Sequence, residues 1–182
     1  INQDLKDSSK YIAYLQQSGL GLPDRAYYFN EDDKFKSYRK AYHAYVDKIL
    51  DMTSPGHRPQ ATEAILTIES ELAGQHWTRV QNRDRDKTYN KYSLADLKSK
   101  APSIDWDAFF EGANMPEQTS LIVRQPSYLH ALSGLVEEIS IDEWRVYLAF
   151  NIFDAMAPFL PQPYVDAHFE MRRKTLRGIK EI

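Results

Sequence analysis

Three observations predict a mainly α fold, a multi-helix domain with one short two-stranded β pairing. Apolar and aromatic residues recur at steps of three and four over several stretches, the spacing of helices with one buried stripe. Cap and stop residues bound those stretches. The 12 Tyr, 8 Phe and 3 Trp stand against only 7 Gly and 9 Pro, which suits packed helices better than a turn-rich sandwich or a disordered tail. With 182 residues the chain can bury one core but not two ordinary ones, so residues 1–182 read as a single domain.

Residues 10–15 (KYIAYL) are rich in β-formers and run into the turn-prone Ser18-Gly19-Leu20-Gly21, so they read as a strand. Asn30 is placed to cap a helix whose first turn carries Glu31, Asp32 and Asp33. Its stripe is Phe35, Tyr38, Tyr42, Tyr45 and Ile49, and Thr53-Ser54-Pro55-Gly56 stops it. A second helix follows Pro59, carries Ala61, Ile65, Ile68 and Leu72, and runs to about Trp77; the short connection implies an antiparallel hairpin. Residues 79–91 are polar and aperiodic, a loop. Ser93 and Asp96 form a capping box ahead of Leu94 and Leu97.

A short helix starts at Asp105 with Trp106, Phe109 and Phe110, and residues 112–120 connect it to a second strand at 121–123, the expected partner of 10–15. Pro126 opens the next helix, which carries Leu129, Leu132 and Val136. Ser140 and Glu143 make another capping box, with Ile139 and Trp144 in staple positions. The helix behind it (Trp144, Tyr147, Leu148, Ile152, Ala155) is apolar on most sides and is expected to be the central, most buried one. Pro158, Pro161 and Pro163 break it. A last helix with Val165, Phe169 and Leu176 ends in Arg172, Arg173, Lys174 and Arg177, near its negative pole.

Composition excludes several chemistries. There is no Cys, hence no disulfide, thiol nucleophile, zinc ribbon or iron–sulfur ligand in this stretch. A net charge of −3 gives no general attraction to nucleic acid or anionic membrane. The chain opens on Ile1 with neither a start Met nor a signal peptide, as expected of a processed, cloned or proteolysed piece. Its most apolar stretch, 144–160, is interrupted by Arg145, Asn151, Asp154 and Pro158, too short and polar to span a bilayer. The expectation is a soluble globular segment without membrane contact.

Zinc hydrolysis needs three converging ligands and an open position, in helical form H-E-x-x-H. The five His are His43, His57, His76, His130 and His168, and no two lie within five residues, so that motif is absent. No catalytic and no metal residue is assigned, and substrate-binding residues stay unknown. His43 and His130 sit beside apolar residues on helices and His57 in a turn, ordinary structural uses. There is no G-x-S-x-G, and Gly19-Leu20-Gly21 lacks the rest of a phosphate loop. Asp154, on the apolar helix, calls for an Arg, Tyr or backbone partner. Asp142 and Glu143 serve the helix start, while Glu137 and Glu138 face solvent. Arg79, Arg83, Arg85, Lys87 and Lys91, with Tyr89 and Tyr92 among them, are interrupted by Asp84 and Asp86, an ion-paired loop rather than a nucleic-acid footprint.

Gly19-Leu20-Gly21-Leu22-Pro23-Asp24-Arg25 with Tyr27-Tyr28 closely resembles the G-L-G-L-P-D-R-D-Y-Y segment of neprilysin-type zinc metallopeptidases, particularly their bacterial members. Trp77-Thr78, Asn82-Arg83-Asp84, Lys87-Thr88-Tyr89-Asn90 and Leu94 follow in that family's order, as do Ile104-Asp105-Trp106, Gln125-Pro126, Tyr128-Leu129, Trp144 and Tyr147-Leu148. The similarity runs from about Asp4 to the C-terminus. It departs at Ala26, where bacterial relatives usually carry Asp, and at Lys91-Tyr92, where they often carry Pro-Met.

The resemblance implies the middle of the family's N-terminal helical lobe, which closes over a thermolysin-like catalytic lobe. It implies zinc in the parent protein and none bound by this chain. Oligopeptide substrates, the catalytic lobe of the same polypeptide as partner, and a periplasmic or extracellular location follow from it too. The segment would act as cavity wall and substrate-size filter, inactive alone. A free-standing helical protein-binding module without catalysis is the alternative that stays open.

Overall fold

Leu121, Ile122 and Val123 are three consecutive apolar residues, the pattern of a strand buried on both faces. In the computed structural model, which describes residues 1–54, 56 and 59–179, each is at most 1% exposed and together they anchor a small sheet. The chain is mainly α with this one β element. It divides into two compact units, one of Ile1–Ser18 and Gln75–Ile139, the other of Gly19–Gly74 and Ser140–Ile182.

In the first unit, β2 (Asp7–Leu15) and β4 (Ser120–Val123) pair in parallel, Ala13 opposite Leu121 and Leu15 opposite Val123. This is the pairing expected for residues 10–15 and 121–123. The sheet is larger than expected, however. β1 (Asn2–Asp4) adds antiparallel to β2, and β3 (Asn90–Ser93) antiparallel to β4, giving the order β1-β2-β4-β3. Residues 79–91 are therefore not loop throughout: a 3-10 turn occupies Gln81–Arg83 and β3 begins at Asn90.

This unit also holds α4 (Leu94–Lys100) and α5 (Trp106–Gly112) between β3 and β4, and α6 (Pro126–Glu138) after β4. The Ser93–Asp96 box closes both ways, Asp105 accepts from the Ala108 amide, and Pro126 sits in the first turn of α6, all as the sequence indicates. Leu97, Ala101, Trp106, Phe110 and Leu129 pack with Ala13, Leu121 and Val123 into the core of the unit.

The second unit holds α1 (Ala26–Phe29), α2 (Asp33–Thr53), α3 (Pro59–Gln75), α7 (Ile141–Met156) and α8 (Gln162–Phe169), the last continued by a π turn over Glu170–Thr175. Helices α2 and α3 run antiparallel, because Tyr42 bonds Glu69 while Asp47, further along α2, bonds Thr62, nearer the start of α3. Asn30 does not cap α2. It ends the short α1, and its Oδ1 accepts from the Asp32 amide at 2.9 Å, a local turn that leaves Asp32 as cap residue without a side-chain bond.

The expectation for α7 is corrected. Its Ser140–Glu143 box forms, but only Tyr147 and Phe150 are buried, while Ile141, Leu148, Ile152 and Met156 are exposed. Sequence pattern registers that a helix is apolar all round. It does not register whether the same 182 residues supply enough neighbours to cover it.

Candidate functional site

The G-L-G-L-P-D-R segment forms the middle of a buried polar network in the second unit. Glu69 projects from α3 with no exposed surface, and two tyrosines hold it: Tyr28 donates to Oε2 at 2.6 Å and Tyr42 to Oε1 at 2.7 Å. The Tyr28 oxygen also accepts from the Leu22 amide at 3.0 Å, tying the loop to the pair. Burial raises the Glu69 carboxyl above its ordinary range, against the lowering effect of both tyrosines, the Gly21 amide and Arg172. Burial also raises the Tyr28 and Tyr42 hydroxyls, and Glu69 adds to it, so they remain donors.

The two glycines of the motif are steric requirements. Gly19 has φ +93°, a left-handed conformation that favours Gly, and its carbonyl accepts from Tyr147 at 2.7 Å. A Cβ on Gly21 would lie 1.7 Å from Tyr42 Oη. The Gly21 carbonyl receives the guanidinium of Arg172. That guanidinium also grips Asp154, with Nη2–Oδ2 2.6 Å and Nε–Oδ1 3.3 Å, and lies 5.5 Å from the ring centres of Tyr42 and Tyr45. Tyr45 donates to Asp154 Oδ1 at 2.5 Å. Burial works against the Arg172 charge, but Asp154, Tyr42 and Tyr45 together outweigh it and the group is held above its ordinary value. Asp154 thus has the Arg and Tyr partners that a carboxylate on an apolar helix requires.

The Trp77 to Asn90 stretch is committed internally in the same way, within the first unit. Gln17 clamps the backbone of Trp77, accepting from its amide at 2.8 Å and donating to its carbonyl at 3.1 Å. Asn82 donates to the same carbonyl and accepts from Gln125, whose Oε1 accepts from the Gln17 amide. Trp77 Nε1 donates to Ser127, and Asn90 to the Val123 carbonyl. Tyr89 donates to the buried Asp4 at 2.7 Å, a bond that pushes the phenol up to about 12. Lys87 pairs with Asp84 at 3.3 Å, so this basic stretch is in part neutralised within itself.

No three His, Asp or Glu side chains converge to hold a metal among the described residues. His43 is exposed on α2 against Glu63 at 3.0 Å, His130 meets the Lys100 carbonyl, and His76 the Ser18 carbonyl. His57 lies outside the described residues. Glu137 accepts from Ser103. A cavity of about 230 Å³ opens in the first unit between Trp106, Phe109, Tyr128 and Leu132, with Gln17 and Gln125 at its edge. Gln17, Gln125 and the Tyr128 hydroxyl are already bonded internally, so the recess offers mainly apolar contact. No helix among the described residues is long and apolar enough to cross a membrane.

His168 gives a pH test of the second unit. Burial holds its imidazole below the ordinary 6.5, Arg172 and Arg173 reinforce this, and Asp154 opposes it. A depressed folded value means stability that is complete above about pH 6.5 and is lost as pH falls through the folded value. The stability advantage of the wild type over His168→Gln should therefore shrink from pH 7.5 towards pH 5, as read from urea midpoints. A pH-independent gap would refute this role.

Glu69 and Gln17 were not singled out by sequence reasoning, which marked Arg172 only as part of a basic helix end and Gln125 only within a family motif. Of the first two, only Glu69 left a signal, a carboxylate at i+4 from Ile65 and i−3 from Leu72, inside an apolar stripe.

A model of the N-terminal region of peptidase family M13 matches residues 1–182. An endothelin-converting enzyme homolog of Locusta migratoria is 29% identical over 95% of this chain and 25% of its own length. Human endothelin-converting enzyme 1 is 30% identical over 92% of this chain and 22% of its own. The open-state cryo-EM structure of the Mycobacterium tuberculosis zinc metalloprotease ZMP1 superposes with a TM-score of 0.93 at 30% identity, covering 100% of this chain and 28% of that one. The same protein in complex with an inhibitor gives 0.91 at 29%, covering 97% of this chain and 27% of that one. The chain spans about a quarter of the length of the relatives it matches. It belongs to peptidase family M13, within the family's N-terminal region.

Proposed function

We propose that the parent protein is a zinc-dependent metalloendopeptidase that cleaves oligopeptides, and that these residues form part of its non-catalytic helical lobe. The observation that carries the reading is the match of the whole chain to a zinc metalloprotease structure at a TM-score of 0.93. The internal use of the stretches 19–28 and 77–90 supports it: their bonded side chains hold loops and helices, which is what a wall needs. In this role the lobe excludes large substrates by shape and limits water around a metal held elsewhere in the polypeptide. The zinc, the catalytic lobe as partner and the periplasmic or extracellular location rest on family membership. Residues 1–182 are proposed to fold as a single domain, so far-UV circular dichroism and Trp fluorescence should report one coincident transition.

The coding sequence of the parent tests the proposal directly. It should contain H-E-x-x-H and a further Glu ligand after Ile182, and the purified parent should cleave short peptides while sparing folded proteins. A reading frame without that motif would instead favour a free-standing binding module.

A further inference from the structure

Helix α7 carries an apolar stripe that nothing among the described residues covers. Ile141, Leu148, Ile152 and Met156 are 70%, 54%, 63% and 48% exposed, and Phe159, just beyond the helix, is 80% exposed. At 100° per residue the four on α7 fall within an arc of roughly 80°, opposite the buried Tyr147 and Phe150, over a length of roughly 22 Å. Every other helix among the described residues exposes at most one large apolar side chain. The only charge in the stripe, Arg145, is drawn aside by Asp142 at 2.9 Å. A continuous stripe of this kind marks a contact surface, whereas scattered exposed apolar residues do not.

We infer that this face of α7 packs against an apolar helix of the same parent polypeptide that lies outside these 182 residues. The inference rests on the reading of the chain as a piece of a longer M13 peptidase. Its spacing argues for a helix as occupant: steps of 7, 4 and 4 along α7 give a seam suited to ridges-into-grooves packing. The covered fraction argues for the same polypeptide. ZMP1 contains a segment that matches all of this chain yet is only 28% of that chain, so ample further sequence exists in such a protein to cover the stripe. A helix apolar on every side is the pattern of one buried on every side, and here one side lacks its neighbour. Acidic Asp142 at the margin disfavours an anionic lipid surface as the occupant.

The test is carried out on the full parent. Leu148→Cys and Ile152→Cys are introduced singly, and alkylation of each thiol is followed peptide by peptide by mass spectrometry, native and in urea. Protection of about 100-fold or more at both sites, independent of protein concentration, is expected. A photo-crosslinker at Ile152 should then join this peptide to one outside residues 1–182 of the same molecule. Native labelling as fast as in urea would overturn the inference, and so would protection that grows with concentration, which would mean a second copy. Zinc-dependent peptide hydrolysis, measured on the same samples, separates the two failures: activity with free thiols sinks the packing surface, and protected thiols without activity sink the peptidase.

Discussion

Gly21→Ala is expected to cost about 3–5 kcal/mol, a large share of the stability of an ordinary domain. The new methyl would sit 1.7 Å from Tyr42 Oη, 2.4 Å from its Cζ and 2.9 Å from Glu69 Oε1. Tyr42 has no exposed surface to swing into, and its hydroxyl is bound to Glu69. Relief of the clash therefore means moving a buried ring and leaving a buried carboxylate short of a donor, which adds an unsatisfied group to the overpacking cost. Gly134→Ala on α6 is the contrast, since a Cβ there meets nothing within 4 Å and helix propensity favours Ala by about 0.5–1 kcal/mol. Urea denaturation of both variants should show opposite signs. Adding Tyr42→Phe to Gly21→Ala removes the nearest atom of the clash, so the double variant should be more stable than the sum of the singles. Simple additivity would mean that the contact is not the cause.

Arg172→Met should be the other severe substitution, with a loss of about 2–4 kcal/mol by the same measurement. Arg172 and Asp154 side chains are 17% and 19% exposed, which places the expected loss below that of a fully buried pair. Without the guanidinium, Asp154 keeps Tyr45 but loses its charge partner, and the Gly21 carbonyl loses its donor. Much of the loss is the penalty of a stranded carboxylate rather than the worth of the bridge. Asp154→Leu on the Arg172→Met background should therefore recover a large part of it. Arg172→Lys should recover little, because a single ammonium cannot serve Asp154 and Gly21 in the geometry of a planar fork. Full recovery with Lys would show that charge alone is needed.

Apart from the short α1 and the start of α2, the helices were legible because their signals are local. Ser93 with Asp96, Asp105, Pro126 and Ser140 with Glu143 each lie within three residues of the helix they begin, and each begins one. β1 and β3 were not legible. Their sequences, NQD and NKYS, lack a run of β-formers, and they become strands only by pairing with β2 and β4, distant in the chain for β3. The networks were partly hidden for the same reason. Asp154 announced its need for a partner, but Arg172 reaches it across 18 residues and Gly21 across 151. Asn30 misled because an Asx turn and a helix cap use the same side-chain oxygen and the same kind of amide. For α7 the apolar residues on most sides pointed to the central, most buried helix, yet only Tyr147 and Phe150 of it are buried.

Zinc content and peptide cleavage, measured side by side on the purified parent and on the 182-residue chain, are the most direct test of the central claim that this chain is a wall and not a catalyst. The predicted result is one tightly held zinc per parent molecule, hydrolysis of oligopeptides abolished by a chelator, and neither property in the 182-residue chain. One stoichiometric zinc bound by the chain alone, or cleavage by it, would contradict the claim.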